Sequence, residues 1–358
     1  MLPFFIFVKK MIFFNSLDFN IQNVICGHCL CEFFKGRTKS QKQITAIVEQ
    51  TRIIIANSLK ISPSQLFFTP NITISSNIAI NYIDRSIKSI LTSEFEPKSI
   101  LKPLEIKARE LNIPIYNVEF KEDSSIDLQS VKDLIRKNSP AFVALSQVNR
   151  KTGRFLPIKR ISELCQKSNS LFLCDVSLTF GKIPINFEDC PIDFVTASSA
   201  ALGALQGTSF IGIFNNIVPK PLYFGDNGEF GIVPGNENFL AICHWAHYLD
   251  YLKKYIVDIN AKYLNLKKYL FECLKKNNIE FRSVNETTEH FLPNFVNLYI
   301  PKIEDLQVLL INLDIEDILV GDGSMSNENR NLLITFSEQN NKDEIEYFCK
   351  KISCLLDK

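Results

Sequence analysis

The chain has 358 residues, with 40 Lys plus Arg against 39 Asp plus Glu and a formal net charge of +1. That balance excludes the basic footprint of a nucleic-acid or anionic-membrane binder. Hydrophobic residues are 46% and charged residues 22%, the usage of a globular chain and not of a disordered one.

Residues 2–8 are apolar, but lysines follow them instead of preceding them, the reverse of a signal peptide. Residues 1–10 read as an N-terminal extension, with Met11 as a second candidate start. Gln41–Leu59 sets Ile44, Ile47, Val48, Thr51, Ile54 and Ile55 at helical spacing, an amphipathic helix. Residues 65–68 read as a strand, broken by Thr69-Pro70-Asn71, and Thr73 opens a helix to about Tyr82. Strands are then expected at 89–92, 114–118, 141–146, 171–175, 194–197 and 211–214. Helices at 98–111, 127–137 and 158–168 alternate with the first four. Such alternation predicts a mostly parallel sheet covered on both faces, with ligands outside the carboxyl ends of the strands. A long helix, 238–275, with one break, separates a smaller α+β unit. Its strands fall at 294–300, 318–320 and 331–336, and its helices at 302–313 and 342–356. The domains are thus 11–250, and 251–358 plus part of the N-terminal segment. No segment has the ~18 uninterrupted apolar residues of a membrane-spanning helix.

The ten cysteines fit neither a short nor a Cys-dense disulfide scaffold. Cys165, Cys174, Cys243, Cys273, Cys349 and Cys354 sit in apolar periodic segments and read as buried free thiols. Cys26, His28, Cys29 and Cys31 are crowded, but no second ligand pair follows, so no metal is expected. Free thiols fit a reducing cytoplasm.

Five segments, in order and at consistent spacing, resemble the cysteine desulfurases. These belong to the class V aminotransferase group of pyridoxal phosphate (PLP) enzymes. Ile12-Phe13-Phe14-Asn15 is similar to the family's opening strand. Gln65-Leu66-Phe67-Phe68-Thr69 is similar to its Glu-Ile-Val-Phe-Thr. LFLCDVSLTFGKIPI, from Leu171, is similar to its Asp-Ala-x-Gln-x-x-Gly-Lys-x-Pro segment. Gly235-Asn236-Glu237-Asn238 is similar to its Ser-Gly-Thr-Glu-Asn, and residues 331–352 to its closing strand and helix. The resemblance implies a fold-type I PLP-transferase-like α/β architecture. A mostly parallel seven-stranded sheet forms the large domain, and a smaller α+β domain is C-terminal.

A PLP enzyme needs a lysine to hold the aldehyde, a carboxylate for the pyridine nitrogen, and hydroxyls and N–H groups for the phosphate. The resemblance puts Asp175 at the pyridine carboxylate, with a loop or N-cap aspartate as the plain alternative. Thr73 falls at a phosphate-loop threonine, and a helix N-cap reads equally well. Ser198 falls at the serine of Ser-x-His-Lys. The histidine and lysine of that motif fall on Ala200 and Ala201, and no lysine lies between Lys182 and Lys220. The ring-stacking histidine falls on Pro97, after Glu96. The asparagine that meets the ring's phenolic oxygen falls on Arg150. The later glutamine and arginine fall on Leu178 and Val233, and the reactive cysteine on Ser326. Asn236 stays a cofactor-side candidate.

The losses gather at chemical positions, so the resemblance implies a catalytically degenerate protein. It would have PLP lost or held non-covalently, and would act as a dimer partner or scaffold near iron–sulfur assembly. Family members are homodimers, so the partner is a second copy or an active paralogue. An alternative is a PLP enzyme with a remodelled site that uses Asp175, Thr73 and Ser198. Another is a PLP-independent protein that holds an anion with Arg150, Lys151 and Arg154, although a solvated basic loop explains these equally. Glycine is only 13 of 358, about half the usual ~7%. Positions where a family glycine would approach the cofactor carry Pro70, Asn71, Ile72 and Ser199.

Overall fold

The computed structural model describes residues 12–13, 41–187, 190–215, 217–286, 289–325 and 330–356. Strand β1 (Ile12–Phe13) precedes helix α1 (Gln41–Leu59), β2 (Leu66–Thr69), α2 (Ile72–Ile80) and β3 (Ser89–Thr92). Then come α3 (Lys98–Leu111), β4 (Ile115–Asn117), α4 (Leu128–Asn138), β5 (Ala141–Ser146), α5 (Ile158–Lys167) and β6 (Leu171–Asp175). β7 (Phe194–Ser198), α6 (Ser199–Leu202), β8 (Ser209–Ile213) and α7 (Phe239–Lys276) follow. The chain closes with β9 (Arg282–Ser283), β10 (Phe295–Tyr299), α8 (Leu306–Ile315), β11 (Ile318–Leu319), β12 (Gly321–Asp322), β13 (Asn331–Thr335) and α9 (Lys342–Leu356).

Local capping chemistry moves two helix starts from their expected places. α2 is capped by Asn71, whose side chain accepts the Ile74 N–H at 3.1 Å. Thr73 is therefore inside the first turn and is not the N-cap. α8 starts at Leu306, not 302, because the Asp305 carboxylate accepts the Gln307 and Val308 N–H groups at 2.8 and 3.1 Å. Such a side-chain acceptor meets donors that the first turn leaves unpaired. α7 is one unbroken helix of 38 residues, where a break was expected. α6 and β9 are too short to leave a periodic pattern.

The larger of two compact units holds residues 20–150 and 154–255. Its seven-stranded sheet has the order β2-β8-β7-β6-β5-β3-β4. β8 runs antiparallel to both neighbours, and the remaining pairs are parallel. Runs such as Ala141–Ser146 are buried at every position, as expected for a strand with both faces covered.

The pairing register gives one face of this sheet a graded chemistry. Ile90, Phe142, Ala144, Leu173, Phe194, Ile211, Ile213 and Phe67 share that face and join Ile78, Ile100 and Leu104 of α2 and α3 in one apolar cluster. Because side chains alternate with period two, the same face ends in Thr92, Ser146, Asp175, Thr196, Ser198, Ser209 and Thr69. A polar rim thus crosses six strands at the carboxyl end of the parallel set.

The smaller unit contains β1, Lys151–Gly153 and Ile256–Lys358. Its antiparallel sheet has the order β12-β13-β10-β9, and β1 pairs with β11 in parallel. Gly153 (φ +74°) packs on Phe295, where a Cβ would meet ring carbon at 2.6 Å. Cys165, Cys174, Cys243, Cys273 and Cys349 are buried free thiols, but Cys354 is exposed, on the outer side of α9. The crowded Cys26, His28, Cys29 and Cys31 lie outside the described residues. Among the described residues no helix is long and apolar enough to cross a membrane, and no His, Cys, Asp and Glu group of three or more could hold a metal.

Among the described residues of the larger unit, one ion pair is buried on both sides. Arg52 of α1 is 2% exposed and Glu229 4%. The guanidinium donates to both Glu229 carboxylate oxygens at 2.7 Å and to the Leu66 carbonyl at 2.6 Å. The Phe68 N–H donates to Glu229 at 2.7 Å. The rings of Phe68 and Phe230 cover the guanidinium at 4.9 and 5.2 Å. Removing one partner of such a pair strands a buried charge. Arg52→Met and Glu229→Gln are each expected to lower the unfolding free energy by about 3–5 kcal/mol in urea titration. Arg52→Met combined with Glu229→Leu should recover most of that loss. Unchanged midpoints in both single variants would refute the constraint.

Candidate functional site

The rim concentrates the candidate residues. Asp175 ends β6 and is 3% exposed. Its Oδ1 accepts the Ser177 N–H at 2.7 Å, and Ser177 Oγ accepts the Ser198 N–H at 3.1 Å. Asp175 and Ser198, read separately from the sequence, are thus joined through one serine. Thr196 pairs with Asp175, and Ser209 with Ser198. The Thr196 and Ser209 hydroxyl oxygens are buried without a hydrogen-bond partner.

A second carboxyl joins the first. Glu96, ahead of α3 and 8% exposed, accepts the Ser146 N–H at 2.8 Å and the Ser146 hydroxyl at 2.5 Å. Ser146 is the register partner of Asp175. Burial raises the Glu96 carboxyl to about 7. The Ser146 bonds and the Arg150 charge oppose that shift, and the Asp175 charge adds to it. Burial likewise raises Asp175, against Arg150 and Ser177. The charge of the half-buried Arg150 opposes both shifts. Arg150 follows β5 by four residues, on a loop whose Gln147 N–H donates to the Asp175 carbonyl at 2.8 Å.

The segment after Ser198 is pinned from several sides. Ala201 lies on the four-residue α6, closed by Gly203 at φ 105°. Ser199 Oγ donates toward the Leu205 and Thr208 carbonyls at 2.8 and 2.7 Å. His244 Nδ1 accepts the Leu205 N–H at 3.1 Å. That acceptor role needs the neutral ring, and burial, then His247, lowers the His244 pKa. Lys182 Nζ donates to the Ala201 carbonyl at 3.3 Å.

Other candidates fall elsewhere. Thr73 is exposed in the first turn of α2. Asn236 is exposed and lines a cavity of about 260 Å³ with Thr69, Pro70, Thr208 and Glu229. Ser326 lies outside the described residues. Of the basic cluster expected from Arg150, Lys151 and Arg154, two members have carboxylate partners. Arg154 pairs with Asp123 at 3.2 Å, and Lys151, within the smaller unit, pairs with Asp322 at 3.5 Å. Neighbouring carboxylates already neutralise those two cations. Glu96, Lys182 and His244 escaped the sequence reading as site residues. Glu96 and Lys182 stood in quoted motifs, whereas nothing in the sequence near His244 points to a loop some forty residues away.

Glu96 gives a pH test. Its folded-state pKa lies above the unfolded value, so the stability it permits below pH 4.5 is lost as pH rises through 7. The wild-type unfolding free energy should fall by up to about 3 kcal/mol between about pH 4.5 and pH 8 on account of this group. Glu96→Gln should flatten that fall, and an unchanged slope in urea titrations would show that the carboxyl is not buried in its acid form.

The comparisons with known proteins agree with this layout. Residues 33–348 match the family described as Aminotransferase class-V. Cysteine desulfurase IscS of Histophilus somni is 25% identical over 326 residues, covering 88% of this chain and 76% of that protein. The mitochondrial cysteine desulfurase of Saccharomyces cerevisiae is 25% identical over 284 residues, covering 77% of this chain and 56% of that protein. A solved NifS-like protein superposes with a TM-score of 0.84 at 19% identity, over 97% of this chain and all of that one. That last likeness carries the fold alone. With a family match across most of its length, the chain belongs to the class-V aminotransferases, as a cysteine desulfurase-like member.

Proposed function

We propose that the chain is a catalytically degenerate member of this PLP-dependent family. It keeps the fold and works as a dimer partner or scaffold, with a second copy or an active paralogue. The observation that carries this reading is the amine-free loop after β7. Ala201 offers a methyl group, and an imine needs a nitrogen nucleophile. Ser199, His244 and Lys182 hold the loop by hydrogen bonds that ask for no ligand. The residues therefore do not fit a covalently held cofactor, and no step is assigned through one. The rim still offers Asp175 and Ser198, so non-covalent retention is the outer limit of cofactor use. An iron–sulfur assembly setting is consistent with the desulfurase relatives.

A second reading, a PLP enzyme with a remodelled site, has one observation in its favour. Lys182 Nζ lies 3.3 Å from the Ala201 carbonyl, so this lysine reaches the empty position. One measurement separates the two readings. Protein purified with PLP, reduced with borohydride and mapped by mass spectrometry should carry no pyridoxyl group on any lysine. A pyridoxyl group on Lys182 would establish the second reading. Ala201→Lys alone should not release sulfide from cysteine, because the family's reactive thiol falls on Ser326. Sulfide release by that variant would mean that a different cysteine serves. An active desulfurase that co-purifies from the same cell would support the partner role, and a chain that remains monomeric and alone would remove it.

A further inference from the structure

The turn after α6 is held on two sides, and the two holds differ in chemistry. On the sheet side, Ser199 Oγ donates toward the Leu205 and Thr208 carbonyls at 2.8 and 2.7 Å, and the Ala204 N–H donates to the Ser199 carbonyl at 3.0 Å. Hydroxyl and backbone groups do not titrate near neutral pH, so these bonds are indifferent to it. On the α7 side, the Leu205 N–H donates to His244 Nδ1 at 3.1 Å. Gly207 (φ +101°) closes against the start of the same helix, where a Cβ would run into the Asn238 side-chain amide. Gly207 and Thr208, with Asn238 and Ile242, then form part of the wall of the cavity of about 260 Å³.

A neutral imidazole accepts at one ring nitrogen and donates at the other, whereas the imidazolium only donates. With Nδ1 accepting, the ring proton sits on Nε2. A second proton would go on Nδ1 and set two N–H donors face to face at hydrogen-bond distance. We infer that His244 is a proton-operated latch, which holds the Leu205–Gly207 turn on α7 while neutral and releases that side of it in acid. Among the described residues, the charged or titratable groups around the ring are few. His247 and the stacked Tyr248 ring, with centroids 6.2 Å apart, belong to α7 itself. Lys182 belongs to the segment after β6, which packs on α7 through Phe180 against Trp245, and its Nζ is held on the Ala201 carbonyl at 3.3 Å. Residues 199–208 and β8, which also lie against α7, contain none. Burial, then His247, disfavours the charged ring. Release therefore lies below the ordinary histidine value of ~6.5. The stability that the latch contributes is present above that value and is lost as pH falls through the lowered one.

Hydrogen exchange of the full chain, followed at the Leu205 amide by NMR and corrected for the intrinsic rate at each pH, tests the latch. In the wild type, Leu205 protection should fall about tenfold between about pH 7.5 and about pH 4.5, while the β7 and β8 amides keep theirs. His244→Asn puts a side-chain oxygen that does not titrate near the Nδ1 position, and should protect Leu205 equally at both pH values. His244→Phe should leave it weakly protected at both. Wild-type protection that does not fall, or an equal fall in His244→Asn, would overturn the inference. Should the variants not fold, the chemical shifts of the wild type decide. The Leu205 amide and the His244 ring should titrate with one midpoint, and a Leu205 shift that ignores the ring's midpoint would overturn the inference as well. The latch involves no cofactor, so a pyridoxyl-lysine in the wild type would remove the proposed function and leave the latch unaffected.

Discussion

Arg52 and Glu229 connect three pieces of chain that lie far apart in the sequence. The guanidinium comes from the middle of α1, the carboxylate from a turn near residue 229, and both engage the backbone of β2. Glu229 and Phe230 take up left-handed backbone angles (φ 45° and 58°) to deliver the contact, a conformation that costs non-glycine residues energy. That cost is met by a two-point, charge-assisted contact in a buried setting. The cavity bounded by Thr69, Thr208, Glu229 and Asn236 inherits its walls from this arrangement.

The polar rim beside it is held largely by the protein's own hydrogen bonds. The carboxylate at the end of β6 is answered by the Ser177 N–H. The loop after β7 is fastened by a serine hydroxyl, a neutral histidine and a lysine that reaches a backbone carbonyl. Two hydroxyls on the rim stay unpartnered, at Thr196 and Ser209. These are expensive groups to bury unpaired.

The shortage of glycine acquires a physical meaning in the same place. Ser199, where the resemblance implies a glycine, fastens the loop to Leu205 and Thr208 by its hydroxyl. Asn71 stands in another such position and caps α2. Each side chain closes a local hydrogen bond that an unsubstituted backbone would leave open to a ligand. Glycines remain where the backbone itself requires them, as at Gly153 against Phe295 and Gly203 at the end of α6.

Much of the fold was legible in the sequence because the parallel sheet is buried on both faces. Its strands are unbroken apolar runs, and its helices carry one apolar stripe each, so period and order suffice to name the elements. Asp175 and Ser198 were legible because they end strands, where open α/β sheets present their chemistry. The starts of α2 and α8 were not, since a single side-chain acceptor decided each of them. Lys151 and Arg154 were legible as neighbouring cations, but sequence proximity says nothing about the carboxylates that fold against them. Glu96 beside Asp175, His244 beneath Leu205 and Lys182 beside Ala201 are contacts made over tens of residues. The sequence by itself determined the layers, the succession of strands and helices along the chain and the absence of an amine at position 201. Only the tertiary structure decided which charges share a site, because compensation of a buried carboxyl depends on distance and burial, and neither is written along the chain.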